Sequence, residues 1–322
     1  MTDFSLFGRD LFGEAIKPKA SGVLARKFTV PPFSVLNARD GAWQDRKRAW
    51  ISLGIKSEVG RGDTAGSKLT MSKTIQALKP SADQALKNAA DPDVDASGTS
   101  IFDPVLAELA YSWFCPPKGA ILDPFAGGSV RGIIASLLGY RYTGIDLRAE
   151  QIEANREQAK AICSDPLPAW IEADSRNLGS IEAPPADFVF SCPPYADLER
   201  YSDDPRDLST LDYPAFREAY RAVVAAALSR LKQGRFACFV VGDIRDPAGI
   251  YRNFTGDTIA AFEAAGARYY NEAILVTVCG SLPIRVGKQF AAGRKLGKTH
   301  QNVLVFCKGD PRAAADACEG RA

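Results

Sequence analysis

Residues 119–147 read "GAILDPFAGGSVRGIIASLLGYRYTGIDL", and this stretch decides the fold. "GAILDPF" is a short apolar run, "VRGIIASLLGY" has helical spacing, and "RYTGIDL" is a second strand-like run. Strand, tight turn, helix and strand in this order make one βαβ unit. The alternation continues downstream. "RAEQIEANREQAKAIC" is an amphipathic helix with apolar residues at Ile152, Ala159 and Ile162. "PAWIEAD" and "ADFVFSC" are strands, and "YPAFREAYRAVVAAALSRLKQG" is a long helix stopped by Gly234. "RFACFVVGD" is a strand and "TGDTIAAFEAAGA" a helix. "NEAILVTV" and "HQNVLVFCKG" follow one another with no helix expected between them, which predicts a hairpin at one edge. Near-continuous apolar strands alternating with helices mean a parallel sheet covered on both faces. The expected fold is α/β: a doubly wound, mostly parallel seven-stranded sheet with an antiparallel edge hairpin.

That domain is expected over residues 100–310, with a C-terminal tail over 311–322. Residues 1–99 read as an irregular N-terminal extension and linker. Only Trp43 to Ile55 looks helical there, and "GRGDTAGSKLTMSKTIQALKPSADQALKNAADPDVDASGTS" is small and polar. The chain of 322 residues is 46% hydrophobic and 24% charged, an ordinary globular composition. Seven single cysteines without a CxxC pair point to a reducing compartment and away from a disulfide framework or structural zinc. No long apolar span or leader is visible, so a soluble cytoplasmic protein without a membrane is expected. The single histidine, His300, leaves no metal cluster and no histidine-based triad. The net charge of +2 neither demands nor excludes a nucleic-acid partner.

In such sheets ligands sit beyond the carboxyl ends of the strands, so the residues after each strand matter most. "DPFAGGSVRG" follows the first. Gly127, Gly128 and Ser129 allow close backbone approach, and the next helix offers its first amides. A plain strand-to-helix turn is the simpler reading. The loop is neither GxxxxGK[ST] nor GxGxxG, which argues against a phosphate loop and a dehydrogenase. Asp146, 23 residues after Asp123, ends the second strand and suits two ribose hydroxyls; it equally suits a helix cap. Asp174 and Ser175 follow the third strand, as adenine contacts or as turn residues. After the fourth comes Cys192-Pro193-Pro194-Tyr195. Two prolines stiffen the exit and leave carbonyls free as acceptors, and the tyrosine offers a flat face. A simple strand stop would need one proline.

Together "DPFAGGS", "GIDL", "EADS" and "SCPPY" resemble the successive motifs of S-adenosylmethionine-dependent amino-methyltransferases acting on DNA. "SIFDPVLAELAYSWFCPPKG" is similar to that family's cofactor-side helix, and "KTHQNVLVFCKGD" to its last strand. With "VPPFSVLNARDGAWQDRKRAW", the whole chain also resembles phage or prophage methylases of restriction-modification type. The resemblance implies a Rossmann-like methyltransferase fold, S-adenosylmethionine as cofactor and DNA as partner. It implies that Asp123, Phe125, Ala126 and Gly127, with Gly128 and Ser129, hold the methionine part of the cofactor. Asp146, followed by Leu147, would hold the ribose, and Asp174 with Ser175 the adenine. Phe102 and Asp103 would stand on the cofactor side. Cys192, Pro193, Pro194 and Tyr195 would be the catalytic tetrapeptide, where the family has Asp, Asn or Ser first.

An exocyclic amino group is a poor nucleophile because its lone pair is delocalised into the ring. The site must accept its hydrogens, and a thiol accepts weakly. Ser191 could take that role if the register bulges by one. Cys192 could accept weakly while backbone carbonyls do more. A carboxylate among Asp197, Glu199, Asp203, Asp204 and Asp207 could help. Cys192 could instead be a nucleophile, although enzymes acting on carbon 5 of pyrimidines carry Pro-Cys, the reverse order. It could also be a small buried residue with no chemical role. The target base must leave the stack, with adenine preferred to cytosine and Tyr195 stacking on it. RNA, another amino-bearing substrate, and a catalytically decayed binding module are the alternatives.

"PIRVGKQFAAGRKLGKTHQNVLVFCKG" holds Arg285, Lys288, Arg294, Lys295 and Lys298, and no acid falls between Glu272 and Asp310. A mobile basic loop there would suit phosphates, or merely solubility. "RDGAWQDRKRAW" interleaves Trp43 and Trp50 with Arg39, Arg46, Lys47 and Arg48. The tryptophans, seven apart, share one helical face and suit packing better than base contact.

Overall fold

The computed structural model describes residues 23–56, 102–196, 200–280 and 282–320. The expected linker over residues 57–99 and the carboxylates Asp197 and Glu199 lie outside the described residues.

Strands β2 (Ala120–Asp123) and β5 (Ala186–Ser191) are buried along their whole length. That is why their sequences are apolar without alternating: a helix covers each face. The other elements, in chain order, are α1 (Val23–Phe28), β1 (Val35–Asn37), α2 (Gly41–Ile51), α3 (Pro104–Phe114), α4 (Val130–Leu137), β3 (Arg141–Asp146), α5 (Ala149–Ile162), β4 (Ala169–Glu172), α6 (Tyr213–Arg230), β6 (Leu231–Val241), α7 (Phe254–Ala264), β7 (Arg268–Val276), α8 (Leu282–Gly293), β8 (His300–Lys308) and α9 (Pro311–Cys318). One sheet runs β1-β7-β8-β6-β5-β2-β3-β4. β8 is antiparallel to both neighbours, and the remaining pairs are parallel. Order reverses between β2 and β5, which puts the switch point beside the motif-bearing turns.

The α/β sheet matches expectation in kind, with three differences. The sheet has eight strands rather than seven, because Val35–Asn37 of the N-terminal extension pairs with Ile274–Val276 of β7. The last two strands are not a simple hairpin, because α8 separates them and β1 takes the edge beyond β7. The basic segment is therefore helical over Leu282–Gly293 rather than a loop. Pro283 fits a first helical turn, and Gly287 conceals the helix from propensity reading. Finally, α6 ends at Arg230, and Gly234 (φ +61°) lies inside β6 at an irregularity in its pairing with β5. A Cβ at Gly234 would stand 3.2 Å from that of Ala313 on α9. That helix occupies the expected tail and buries Ala314 and Ala317.

Two apolar layers sandwich the sheet. Phe188, Phe190, Phe236, Cys238 and Val240 face one layer with Tyr111, Ile133 and Trp170. Val189, Ala237, Phe239 and Val241 face the other with Phe216, Tyr220, Phe254 and Phe262. The period of two along β5 and β6 divides these residues between the layers. Trp43 and Trp50 belong to the first layer, so α2 is packed rather than presented to solvent. Trp50 Nε1 donates to Glu108 Oε2 (2.8 Å), Trp43 Nε1 donates to Asp103 Oδ2 (3.1 Å), and Arg46 pairs with Glu108. No helix among the described residues is long and apolar enough to cross a membrane.

Candidate functional site

The turns after β2, β3, β4 and β5 meet at the switch point and are tied to one another. Asp123 ends β2 wholly buried. Its Oδ1 accepts from Ser191 Oγ (2.6 Å) and Phe125 N (3.2 Å), and its Oδ2 accepts from Arg131 Nε (2.6 Å) and Tyr142 Oη (2.8 Å). Arg131 Nη2 also donates to the carbonyls of Phe125 (2.6 Å) and Ala126 (3.0 Å). Burial opposes the Arg131 charge, but the Asp123 carboxylate outweighs it and raises the guanidinium pKa further. Burial, then Asp123, pushes Tyr142 far above the usual phenol range. Asp123 therefore fastens the turn. Both its oxygens are engaged within the chain.

Ser191 is likewise engaged. Its hydroxyl donates to Asp123 and accepts from Phe125 N (3.2 Å) with no exposure to solvent. Both of these hydrogen bonds are directed inward, to the glycine turn.

Gly127 takes the left-handed conformation (φ +50°), and a Cβ built on it would meet nothing within 4 Å. The turn thus presents bare backbone to open space. Gly127 N donates to Asp146 Oδ2 (2.9 Å), and its carbonyl accepts from Asn155 Nδ2 (2.8 Å). Ala126 is buried and donates to Ile145 O (2.9 Å), while Phe125 stacks on Tyr220 with ring centroids 6.1 Å apart. Gly128 is half-buried. Ser129, at the start of α4, is wholly buried, and its Oγ has no partner. An unpartnered hydroxyl beside the free first amides of a helix is a ready anion or polar-group contact.

Asp146 ends β3. It also accepts from Arg148 N (2.9 Å) through Oδ1, and its side chain is 14% exposed. Burial raises its carboxyl above the usual range, against the opposing Arg148 charge. Leu147 follows, half-buried. Asp174 caps the short 3-10 helix Ser175–Ser180 and is held by Arg176, with Nε at 2.9 Å from Oδ2. Burial raises the Asp174 carboxyl, but the Arg176 hydrogen bonds outweigh it and keep it low. Ser175 Oγ donates to Pro124 O (2.6 Å), tying this turn to the glycine turn. Phe102 lies under the Arg131 guanidinium, 4.7 Å from Cζ to ring centre. Asp103 caps α3, accepting from Val105 N (2.9 Å) and Leu106 N (3.3 Å). Burial raises its pKa against the Lys47 charge. These bonds anchor the start of α3.

The tetrapeptide leaves the sheet directly after β5. Pro193 is buried, and Cys192, Pro194 and Tyr195 are half-buried. Tyr195 Oη accepts from Gln301 Nε2 (3.0 Å), and its ring meets Phe254 edge-on at 6.2 Å. Burial, then the neighbouring Cys192, raises its pKa well above the phenol range. Of the nearby carboxylates, Asp203 pairs with Arg200 (2.9 Å), Asp204 with Arg206 (2.6 Å), and Asp207 accepts from Ser209 N (2.8 Å).

The basic segment divides. Lys298 comes to the site: a Cβ on Gly242, just past β6, would stand 3.6 Å from Lys298 Nζ and 3.8 Å from Tyr195 Cε1. Burial lowers the Lys298 pKa, opposed by Asp243. Lys295 packs on Gly249. Arg285, Lys288 and Arg294 are exposed, the first two on α8 and the third 5.2 Å over the Phe290 ring. Sequence reasoning missed Tyr142, Asn155 and Gln301, which reach partners 19, 28 and 106 residues away, and Arg131, whose partners Asp123, Phe125 and Ala126 lie on the same turn. It also passed over "GDIRDPAGIYRN", although these residues follow a strand and the same rule pointed to them.

No protein-family model and no curated protein matches the chain. Among solved structures it resembles TrmN from Thermus thermophilus (18% identity, 64% of this chain and 49% of that one, TM-score 0.43). It resembles a methyltransferase from Pyrococcus furiosus (14% identity, 65% and 84%, TM-score 0.43). It also resembles a second Thermus thermophilus protein, provisionally described as a DNA modification methylase (19% identity, 43% and 51%, TM-score 0.32). The chain spans about half the length of the first and third.

Proposed function

We propose that the chain transfers a methyl group from S-adenosylmethionine to an exocyclic amino group of a flipped base in DNA, adenine before cytosine. One observation carries this reading. The rigid Cys192-Pro193-Pro194-Tyr195 exit of β5 and the open glycine turn after β2 are locked together through Ser191, Asp123 and Phe125 N.

The chain's own residues fit the cofactor. Gly127 offers backbone facing open space, and Ser129 offers a buried hydroxyl without a partner. Asp146 would hold a ribose through lone pairs left beyond its two backbone bonds, and the Asp174–Ser175 turn would border an adenine. When bound, S-adenosylmethionine supplies an electrophilic methyl carbon. The remaining work belongs to the protein. The groups that would accept the amino hydrogens are the carbonyls of the tetrapeptide and the Cys192 thiol. A thiol is the weaker of these, so the carbonyls would take the amino hydrogens and localise the nitrogen lone pair for attack on the methyl carbon, with the cofactor's sulfur leaving as a thioether and the surplus proton passing to solvent. The prolines hold those carbonyls rigid, and Gln301 holds Tyr195 by its hydroxyl for stacking on the base.

Incubation with DNA and methyl-labelled cofactor, followed by digestion to nucleosides and mass analysis, tests this. N6-methylated adenine is expected. N4-methylated cytosine would reverse the base preference; labelled RNA alone, or no product from a chain that binds the cofactor, would sink the DNA reading.

A further inference from the structure

Beyond β6 the chain doubles back into a short finger over residues 244–252. Arg252 N donates to Ile244 O and Asp246 N to Ile250 O, each at 2.9 Å, and Arg245 and Tyr251 pair as an antiparallel bridge. Asp246 Oδ1 accepts from Ile250 N (2.8 Å), closing the tip. The Arg245 guanidinium lies 3.8 Å from the centre of the Tyr251 ring, fixed by a bond from Nη1 to Gly249 O (2.8 Å). From the segment after α8, Lys295 packs on Gly249, and Lys298 Nζ lies 5.8 Å from the Tyr251 ring. Lys298 and Tyr195 also border the same residue, Gly242. The finger is thus continuous with the tetrapeptide.

Tyr251 is 44% exposed and Ile250 66%. Among the described residues, Arg245, Lys295 and Lys298 make no ion pair within 4 Å. The acids here are Asp246, turned into the tip, and Asp243, whose Oδ1 accepts from Thr255 N (3.1 Å). A half-exposed ring backed by a guanidinium, ringed by cations and set beside the proposed base pocket, has the chemistry of a nucleotide seat. Aromatic rings stack on any base, and unpaired cations meet phosphates. An acidic protein surface would use the cations but not the ring.

We propose that this finger, with Lys295 and Lys298, holds the unpaired nucleotide next to the target base: Tyr251 stacks on its base, and Arg245, Lys295 and Lys298 meet the flanking phosphates. The proposal rests on the nucleic-acid reading above and adds where the strand runs.

The test measures anisotropy of fluorescein-labelled single-stranded DNA, duplex DNA and RNA of one sequence, at rising salt, with the full chain. Tyr251→Ala should weaken single-strand binding roughly tenfold, and Tyr251→Phe should restore it. Lys295→Gln and Lys298→Gln should each reduce the slope of log K against log salt by about one. Thermal melting of each variant checks the fold. Wild-type affinity and salt slope in both Tyr251→Ala and a Lys295→Gln/Lys298→Gln double variant would overturn the surface, while methylated DNA from the same proteins would leave the enzymatic reading standing. RNA bound more tightly than DNA, with the same losses in the variants, would support the surface and overturn the choice of DNA. A wild type that binds no strand overturns both.

Discussion

Asp123, Arg131, Tyr142 and Ser191 form a closed buried network whose members all serve to hold one turn. Removing a partner leaves an uncompensated group in a dry place. Asp123→Ala strands the Arg131 charge and should cost about 3–5 kcal/mol in urea unfolding. Ser191→Ala removes a hydroxyl only and should cost about 1–3 kcal/mol. The two residues also divide on chemistry. Because the Ser191 hydroxyl points into the network, Ser191→Ala should keep kcat within a few-fold at a temperature where it is folded. A loss of more than a hundredfold would make Ser191 the amino acceptor. Cys192→Asp provides a stronger acceptor beside the same prolines and should keep or raise kcat; complete inactivity would instead assign the sulfur a specific role. Asp146 brings a pH dependence. Its carboxyl is raised by burial, so the fold favours the protonated form. Its stability contribution is therefore present below the unfolded value and lost as pH rises through the folded one. Cofactor affinity should move the opposite way, because two ribose hydroxyls need the ionised carboxylate. Titration calorimetry should show affinity falling as pH drops, with a midpoint above the ordinary aspartate value of about 3.9, and no such midpoint in Asp146→Asn.

At the level of elements, α2 is a structural part of the domain built on the eight-stranded sheet. Trp43 and Trp50 are each 3% exposed and donate to the carboxylates that begin and line α3. Trp50→Ala opens a large cavity and frees one acceptor of Glu108. It should cost about 3–5 kcal/mol by urea denaturation. A loss under about 1 kcal/mol would mean that α2 is not part of the cooperative unit. The same elements explain what reading the sequence can and cannot reach. β2, β5 and the second half of β6 are legible because burial on both faces leaves apolar runs. The tryptophan pair is legible because seven residues return to one helical face. β1 is only three residues long and buries only Leu36, too little for any period to register. α8 buries no residue, and its Gly287 and Gly293 argue against a helix. Gly234 reads as a helix stop because a left-handed residue ends a helix and kinks a strand equally well. In the site, the turn residues are legible by their place after strands. The bond between Gln301 and Tyr195 spans 106 residues and has no local signature.

For the whole molecule, electrostatics is a matter of distribution. A net charge of +2 on 322 residues gives almost no long-range pull on a polyanion. Yet no acid interrupts the chain between Glu272 and Asp310, and the fold brings part of that segment to the switch point. Binding of duplex DNA should therefore depend steeply on salt, despite the near-neutral whole. With Arg245, Lys295 and Lys298 each meeting one phosphate, the slope of log K against log salt should be about −2.7, a loss of roughly fortyfold between about 50 and 200 mM salt. The exposed cations of α8 stand apart from Gly242, so Arg285→Gln with Lys288→Gln should change this slope less than Lys295→Gln with Lys298→Gln does. A slope near zero would deny the basic segment any phosphate contact. A larger change from the α8 pair would move the strand's path off the finger and onto the helix, because only cations that displace counterions from the strand enter the slope.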